Sequence, residues 1–297
     1  MRIRAVALGA LFAFFAAVPS AHAIITRDDV DDADVLVDPA QYPAVIELLG
    51  PGDCLGTLIH PTYVLTVAHC AADVEVGAML MIAGETRTVS TVILHPRWQD
   101  GGDTFDIAML RLDAATLQVE PYQIYRGGDE VGQQVEILGA GIHGTGIEGE
   151  KGGSDDGMLR RATNTVDAVD EHFLRFTFDR PESEDATDLE GVGAGGDSGG
   201  PVLLRQGGIT YLAGLNAWGD SCDHGVAQYG AADYQTRVSA FADWIDAIIA
   251  GRTSEEGPSG GSSFADAECS GCSVGGGEGA WAGLFVLVAG WRRRRRG

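Results

Sequence analysis

Gly195-Gly196-Asp197-Ser198-Gly199-Gly200-Pro201 sets one serine among four glycines, a stretch too bare of side chains for ordinary packing. Glycine lets the backbone turn where other residues are strained, so that successive N–H groups can converge on one point. A serine hydroxyl in such a loop is a nucleophile only if a base removes its proton. An imidazole does this best near neutral pH, and the imidazole in turn needs a carboxylate to hold its tautomer. Working outward, Leu65-Thr66-Val67-Ala68-His69-Cys70 places a histidine just after a β-rich run. Phe105-Asp106-Ile107-Ala108-Met109-Leu110 places an aspartate at the start of another. Along the chain the order is His, Asp, Ser.

That order bears on the fold. Residues 196–200 also satisfy G-x-S-x-G, the elbow of α/β-hydrolases, but that fold needs the serine first and the histidine last. The elbow reading fails. The surrounding sequence is a series of short β-rich runs, at 44–49, 57–59, 63–67, 79–83, 88–94, 107–112, 135–138, 173–178, 202–204 and 211–215, most of them bounded by Gly, Pro or Asp. One helical stripe stands out: Val238, Phe241, Trp244, Ile245, Ile248 and Ile249. The fold class is all-β with a closing helix.

Thr66-Val67-Ala68-His69-Cys70, Asp106-Ile107-Ala108 and Gly196-Asp197-Ser198-Gly199-Gly200-Pro201 resemble the three signatures of trypsin/chymotrypsin-like serine peptidases. The resemblance spans 24–250 and implies two six-stranded antiparallel β-barrels, divided near 125–135, with the catalytic residues between them. It implies His69 as general base and acid, Asp106 as orienting carboxylate and Ser198 as nucleophile, with the N–H groups of Gly196 and Ser198 as the oxyanion hole. The implied activity is peptide-bond hydrolysis through an acyl-enzyme. The alternative is a binding module on the same fold with weak or lost activity. Asp103 lies close in sequence, but Asp106 carries the motif. His60, His95, His143, His172 and His224 show no partner pattern and read as surface or packing residues.

Further implications come with the family. Cys54 and Cys70 pair as a disulfide around the histidine, whereas the usual partner of Cys222 is replaced by Ala194. Cys222 is then a free thiol, pairing with Cys269 or Cys272 being the alternative. A freshly cut N-terminus pairs with the aspartate before the nucleophile, here Asp197, and Ile24 is the residue to supply it. A second cut within the acidic insert 28–38, before Val35, competes with this; the insert itself reads as a solvated loop. Val192 falls at the floor of the primary specificity pocket, walled by Ala217, Trp218 and Gly219, with Ala232 where a glycine often stands. A valine floor predicts small or medium apolar residues at the cut site.

The rest is set by composition and by the ends. Of 297 residues, 45% are hydrophobic, enough for a core, and a net charge of -23 argues against nucleic acid or anionic lipid as a main partner. Residues 1–23 have a basic start, an apolar run and an Ala21-His22-Ala23 cleavage box, and read as a secretory signal peptide. Residues 251–268 read as a flexible linker. Residues 269–297 hold Cys269-Ser270-Gly271-Cys272, an apolar patch and five arginines, and resemble MYXO-CTERM sorting tails of surface proteins. That implies processing and lipid anchoring at Cys272, or else Cys269, with transient membrane contact. An unprocessed span and a CxxC redox pair are the other readings. The expectation is a secreted, surface-anchored monomer acting on proteins or peptides, with no cofactor and no metal, no HExxH spacing being present.

Overall fold

A computed structural model describes residues 23–50, 53–220 and 225–252. The leader to His22, Cys222, His224 and the whole of 253–297, with Cys269 and Cys272, lie outside the described residues. Among the described residues no helix is long and apolar enough to cross a membrane.

The N-terminal half contributes β1 (Val45–Gly50), β2 (Asp53–His60), β3 (Tyr63–Thr66), β4 (Met79–Ile82), β5 (Glu85–Leu94) and β6 (Ala108–Leu112). They form an antiparallel sheet in the order β1-β2-β3-β6-β5-β4. Alternation decides which face is inward: in β4, Leu80 and Ile82 are buried while Met79 and Met81 face solvent. The C-terminal half contributes β7 (Gln134–Gly139), β8 (Arg160–Thr165), β9 (Phe173–Thr177), β10 (Pro201–Gln206), β11 (Ile209–Gly219) and β12 (Ala232–Arg237). Their order is β8-β7-β10-β11-β12-β9. Numbered within its own half, each set follows the same ring, 1-2-3-6-5-4, opened at a different joint. The two sheets are barrel-like, one nearly closed and one a half-barrel.

The expected count of six is met in the first sheet and exceeded in the second. Ala168–Val169 extends it beyond β9, and Gln123–Ile124 runs parallel beside β11. A separate four-stranded ribbon joins Ser154–Asp155, Ile142–Thr145, Ile24–Thr26 and Gly191–Val192. Within it Ile24–Thr26 pairs in parallel with Ile142–Thr145, so the sheets are not wholly antiparallel. The ribbon exists because the N-terminal segment threads back into the second half.

The acidic insert is more than a solvated loop. It forms a short helix, Asp32–Val35, held by Arg160, whose guanidinium is 2.9 Å from Asp32 and 3.0 Å from Asp156. Arg160 is almost wholly buried, so its charge depends on these partners.

A turn at Val238–Phe241 leads into the closing helix, Ala242–Ile249. Val238, Phe241, Trp244, Ile245 and Ile248 are buried, and Tyr63 of β3 donates to the Ile248 carbonyl at 3.5 Å. The helix therefore covers the first barrel although it follows the second. Each such side chain contributes roughly 1.5–3 kcal/mol on burial. His95 and His172 pack around Phe105 and Phe241 in the same core, with His95 stacked on Phe105 at 5.1 Å. Burial pushes the His95 pKa down to about 4, so it packs there as a neutral ring.

Cys54 of β2 and Cys70 form a disulfide across a sequence separation of 16. Closing a loop of this size stabilises the fold by about 3 kcal/mol. Denaturant unfolding with and without reductant measures it; a midpoint unmoved by reduction would contradict the assignment.

Candidate active site

The site is assembled where the two barrels meet. β3 ends at Thr66, and the chain turns into a short helix, Ala68–Ala71, that carries His69. Across the first barrel Phe105 adopts φ 59° and Ile107 N–H donates back to the Phe105 carbonyl, a tight turn just before β6. That turn points Asp106 at His69. Asp106 Oδ1 accepts the His69 backbone N–H at 2.9 Å, and Oδ2 lies 2.6 Å from the His69 ring Nδ1. The Asp106 carbonyl accepts from Thr236 of β12 at 2.9 Å, so the second barrel also fixes it.

Asp106 is buried and the His69 side chain is 41% exposed. Burial pulls the His69 pKa down, but the Asp106 hydrogen bond and the charges of Asp106, Asp103 and Asp73 outweigh it, and the net direction is up. Asp103 itself is raised, by burial first and then by the charge of Asp106.

Ser198 arrives from the second barrel on the loop before β10. Its glycines are needed for close approach. A Cβ on Gly199 (φ +76°) would lie 2.1 Å from the Leu55 carbonyl oxygen of the first barrel. One on Gly200 would lie 2.4 Å from that of Leu138 in the second. Both barrels thus press on the loop, and hydrogen bonds stitch it to β2: Cys54 N–H to the Gly196 carbonyl at 3.0 Å and Leu55 N–H to that of Ser198 at 2.7 Å. Cys70, next to His69, reaches the Ser198 carbonyl as well. Among the described residues the N–H groups of Gly196 and Ser198 donate to no backbone carbonyl, and the Ser198 hydroxyl is not hydrogen-bonded to the His69 ring. Catalytic contacts of this kind often tighten only when substrate is bound.

Asp197 points the other way, into the protein. It is fully buried, with Oδ1 accepting from Gly141 N–H at 2.8 Å and Oδ2 from Ala194 N–H at 2.9 Å. The backbone amides of Ile24 and Ala140 also act to lower its pKa. Burial still pushes its pKa up to about 7. Ala23 and Ile24 are buried, and Ile24 is held at φ 68°, a strained value for a β-branched residue.

A cavity of about 190 Å³ opens beside Ser198, bounded by Gly193, Ala194, Gly195, Asn216, Ala217, Trp218, Gly219, Val226, Glu150 and Asp233. Of the residues expected there, Ala217, Trp218 and Gly219 line it and Val192 and Ala232 do not. Val192 pairs with Ile25 in the ribbon and packs with Phe178 and Tyr229. Asp233, one residue after Ala232, does line it. Asp233, Asn216 and Glu150 were missed by sequence reasoning; the available signal was a charged residue inside the otherwise uncharged Ala-Asp-Tyr-Gln-Thr run of a buried strand.

A family model, Trypsin, matches residues 37–245. The chain belongs to the trypsin family. A trypsin of Saccharopolyspora erythraea is 28% identical over 195 residues, covering 59% of this chain and 80% of that one. A trypsin of Simulium vittatum is 29% identical over 117 residues, covering 37% and 47%. Serine protease 28 of Mus musculus is 37% identical over 71 residues, covering 20% and 26%. Membership makes this a serine-peptidase-type hydrolase domain with proteins as its substrates.

Trypsin-family burial of acids has a cost here. Asp197, Asp233 and Glu190 are all raised to about 7, in each case chiefly by burial. A carboxyl group whose folded pKa lies above its unfolded value keeps its proton longer in the folded state. Stability from these groups is therefore full near pH 4 and falls as pH rises toward 7. Calorimetry on Ser198→Ala, which cannot digest itself, should show Tm falling between pH 5 and 8. A Tm that rises across that interval would contradict it.

Proposed function

We propose that this chain is a serine endopeptidase in which Ser198 attacks the peptide carbonyl, His69 takes and returns the proton, and Asp106 orients the imidazole and offsets its charge. The observation that carries the reading is the two-point hold of Asp106 on His69 beside a serine loop wedged between the barrels. The N–H groups of Gly196 and Ser198 receive the oxyanion. Attack expels the amine, which leaves with the proton from His69; water then releases the acyl group by the reverse route.

Asp197 is the partner of the Ile24 ammonium. A buried carboxylate with only amide donors has no counter-charge, and cutting between Ala23 and Ile24 creates one within reach. The cut also removes the peptide bond that makes the φ of Ile24 unfavourable. Leader removal is thereby maturation, with export through residues 1–23 and anchoring through the tail at Cys272.

A fluorophosphonate probe tests the chemistry. Labelling of the mature protein on Ser198, absent in Ser198→Ala, is the expected result. A folded mature protein that takes no label is a binding module.

A further inference from the structure

Acidic residues outnumber basic ones 43 to 20, so a cation in this chain finds a partner easily. Arg27, Arg87, Arg126, Arg160, Arg161 and Arg237 each form a salt bridge with an aspartate or glutamate. The guanidiniums of Arg111 and Arg252 have no such partner among the described residues. Both line one cavity of about 390 Å³ beside the closing helix. Small-ligand sites commonly span about 300–1,000 Å³.

Local structure brings the two together. Arg111, on β6, stands opposite Tyr63 of β3 and Thr91 of β5. Arg252 follows the closing helix through a turn at Gly251, which adopts φ 69°. Gly251 N–H donates to the Ile248 carbonyl at 2.9 Å, and Arg252 N–H to that of Ala247 at 2.8 Å. A left-handed glycine with this pair of bonds fixes the backbone of the next residue against the last helical turn. Between the two arginines the wall is apolar, with Ile93, Trp244 and Ile248, and no acidic side chain lines it.

We propose that this cavity binds a small organic anion, a carboxylate on an alkyl or aryl body, with Arg111 and Arg252 on the carboxylate and the apolar wall on the body. The guanidiniums gain a charged acceptor that the chain's own acids do not supply, and the wall loses its exposure to water. The overall negative charge of the chain acts at long range and is screened over about 8 Å at physiological salt, whereas both guanidiniums touch the bound carboxylate. A peptide suits the cavity less well, because its amides need hydrogen-bond partners. Besides the guanidiniums, the side chains of the wall offer only the Thr91 and Tyr63 hydroxyls and the Trp244 indole N–H, and Tyr63 already donates to the Ile248 carbonyl. The assignment is independent of the chemistry proposed for Ser198.

Octanoate is the probe, with octanol as its neutral counterpart, each titrated by calorimetry into Ser198→Ala so that no self-digestion intervenes. Saturable one-site binding of octanoate is expected, with octanol at least about tenfold weaker. Arg111→Gln and Arg252→Gln should each weaken octanoate by about 3- to 10-fold. Arg205→Gln, at an equally unpaired cation on β10 outside this cavity, should change nothing. No octanoate binding, octanol binding as tightly, or indifference to both cavity substitutions overturns the proposal. The ratio of octanoate to octanol decides even if one variant does not fold. Binding that appears only once Glu255 and Glu256 are replaced by glutamine would give the cavity to the chain's own acids, and also overturns it.

Discussion

Asp106→Asn lowers kcat by about 10⁴-fold with little change in KM, the size known for this exchange in triads of the same family rather than one computed for this chain. The direction follows from the two-point hold on His69. One oxygen of Asp106 accepts the backbone N–H of His69, a donor that cannot reverse its role. In the asparagine variant the side-chain oxygen must stay there, which turns the NH₂ toward ring Nδ1. The ring then offers Nδ1 as acceptor and carries its proton on Nε2, the nitrogen that the proposed mechanism needs bare. It can no longer act as a base. Ser198→Ala sets the floor, a loss on the order of 10⁶-fold. The pH profile distinguishes this from simple damage: activity in Asp106→Asn should partly recover at high pH, where a hydroxyl without a base becomes easier to ionise. A variant retaining more than a tenth of wild-type kcat would refute the role given to Asp106.

The second large effect is expected at the N-terminus. A form carrying Gly-Ser ahead of Ile24 should show kcat/KM reduced by about 10²- to 10³-fold, the range for losing one oxyanion donor. With no ammonium, Asp197 remains a buried acid pushed up to about 7, and the loop bearing the Gly196 and Ser198 N–H groups loses its counter-charge. Mass spectrometry of the active protein should find Ile24 first. Full activity with the extension intact would exclude Ile24 as the partner. The same form should also show the steeper fall in Tm between pH 5 and 8, because cutting relieves Asp197 and leaves Asp233 and Glu190 as they were.

Much of this architecture was legible because it is written in local pattern. The closing helix follows from one apolar stripe, whose residues are buried together with Ala247, Ile249 being only partly covered. The barrel strands follow from alternation, as in β4. The glycines around Ser198 signalled a loop, although which carbonyls crowd it depends on both barrels. Other features were not readable. Ile24–Thr26 is a three-residue strand whose partners lie more than a hundred positions away, so no periodicity marks the ribbon. The lining of the cavity beside Ser198 was likewise not readable in full. The β11–β12 pairing shifts register between Asn216 and Trp218, and such a bulge re-aims side chains in a way that counting along the chain cannot follow. Asp233 bounds the cavity, whereas Ala232 and Val192 do not.

The burial of Ala23 and Ile24 also constrains the order of events. A processing enzyme needs its target bond extended and accessible, and in the folded chain this bond is sealed inside. On the maturation proposed above, scission there would have to come before the second half closes over the bond. A molecule that closes its second half too early would then be trapped with its bond intact, so slow closure of that half would favour the proposed maturation.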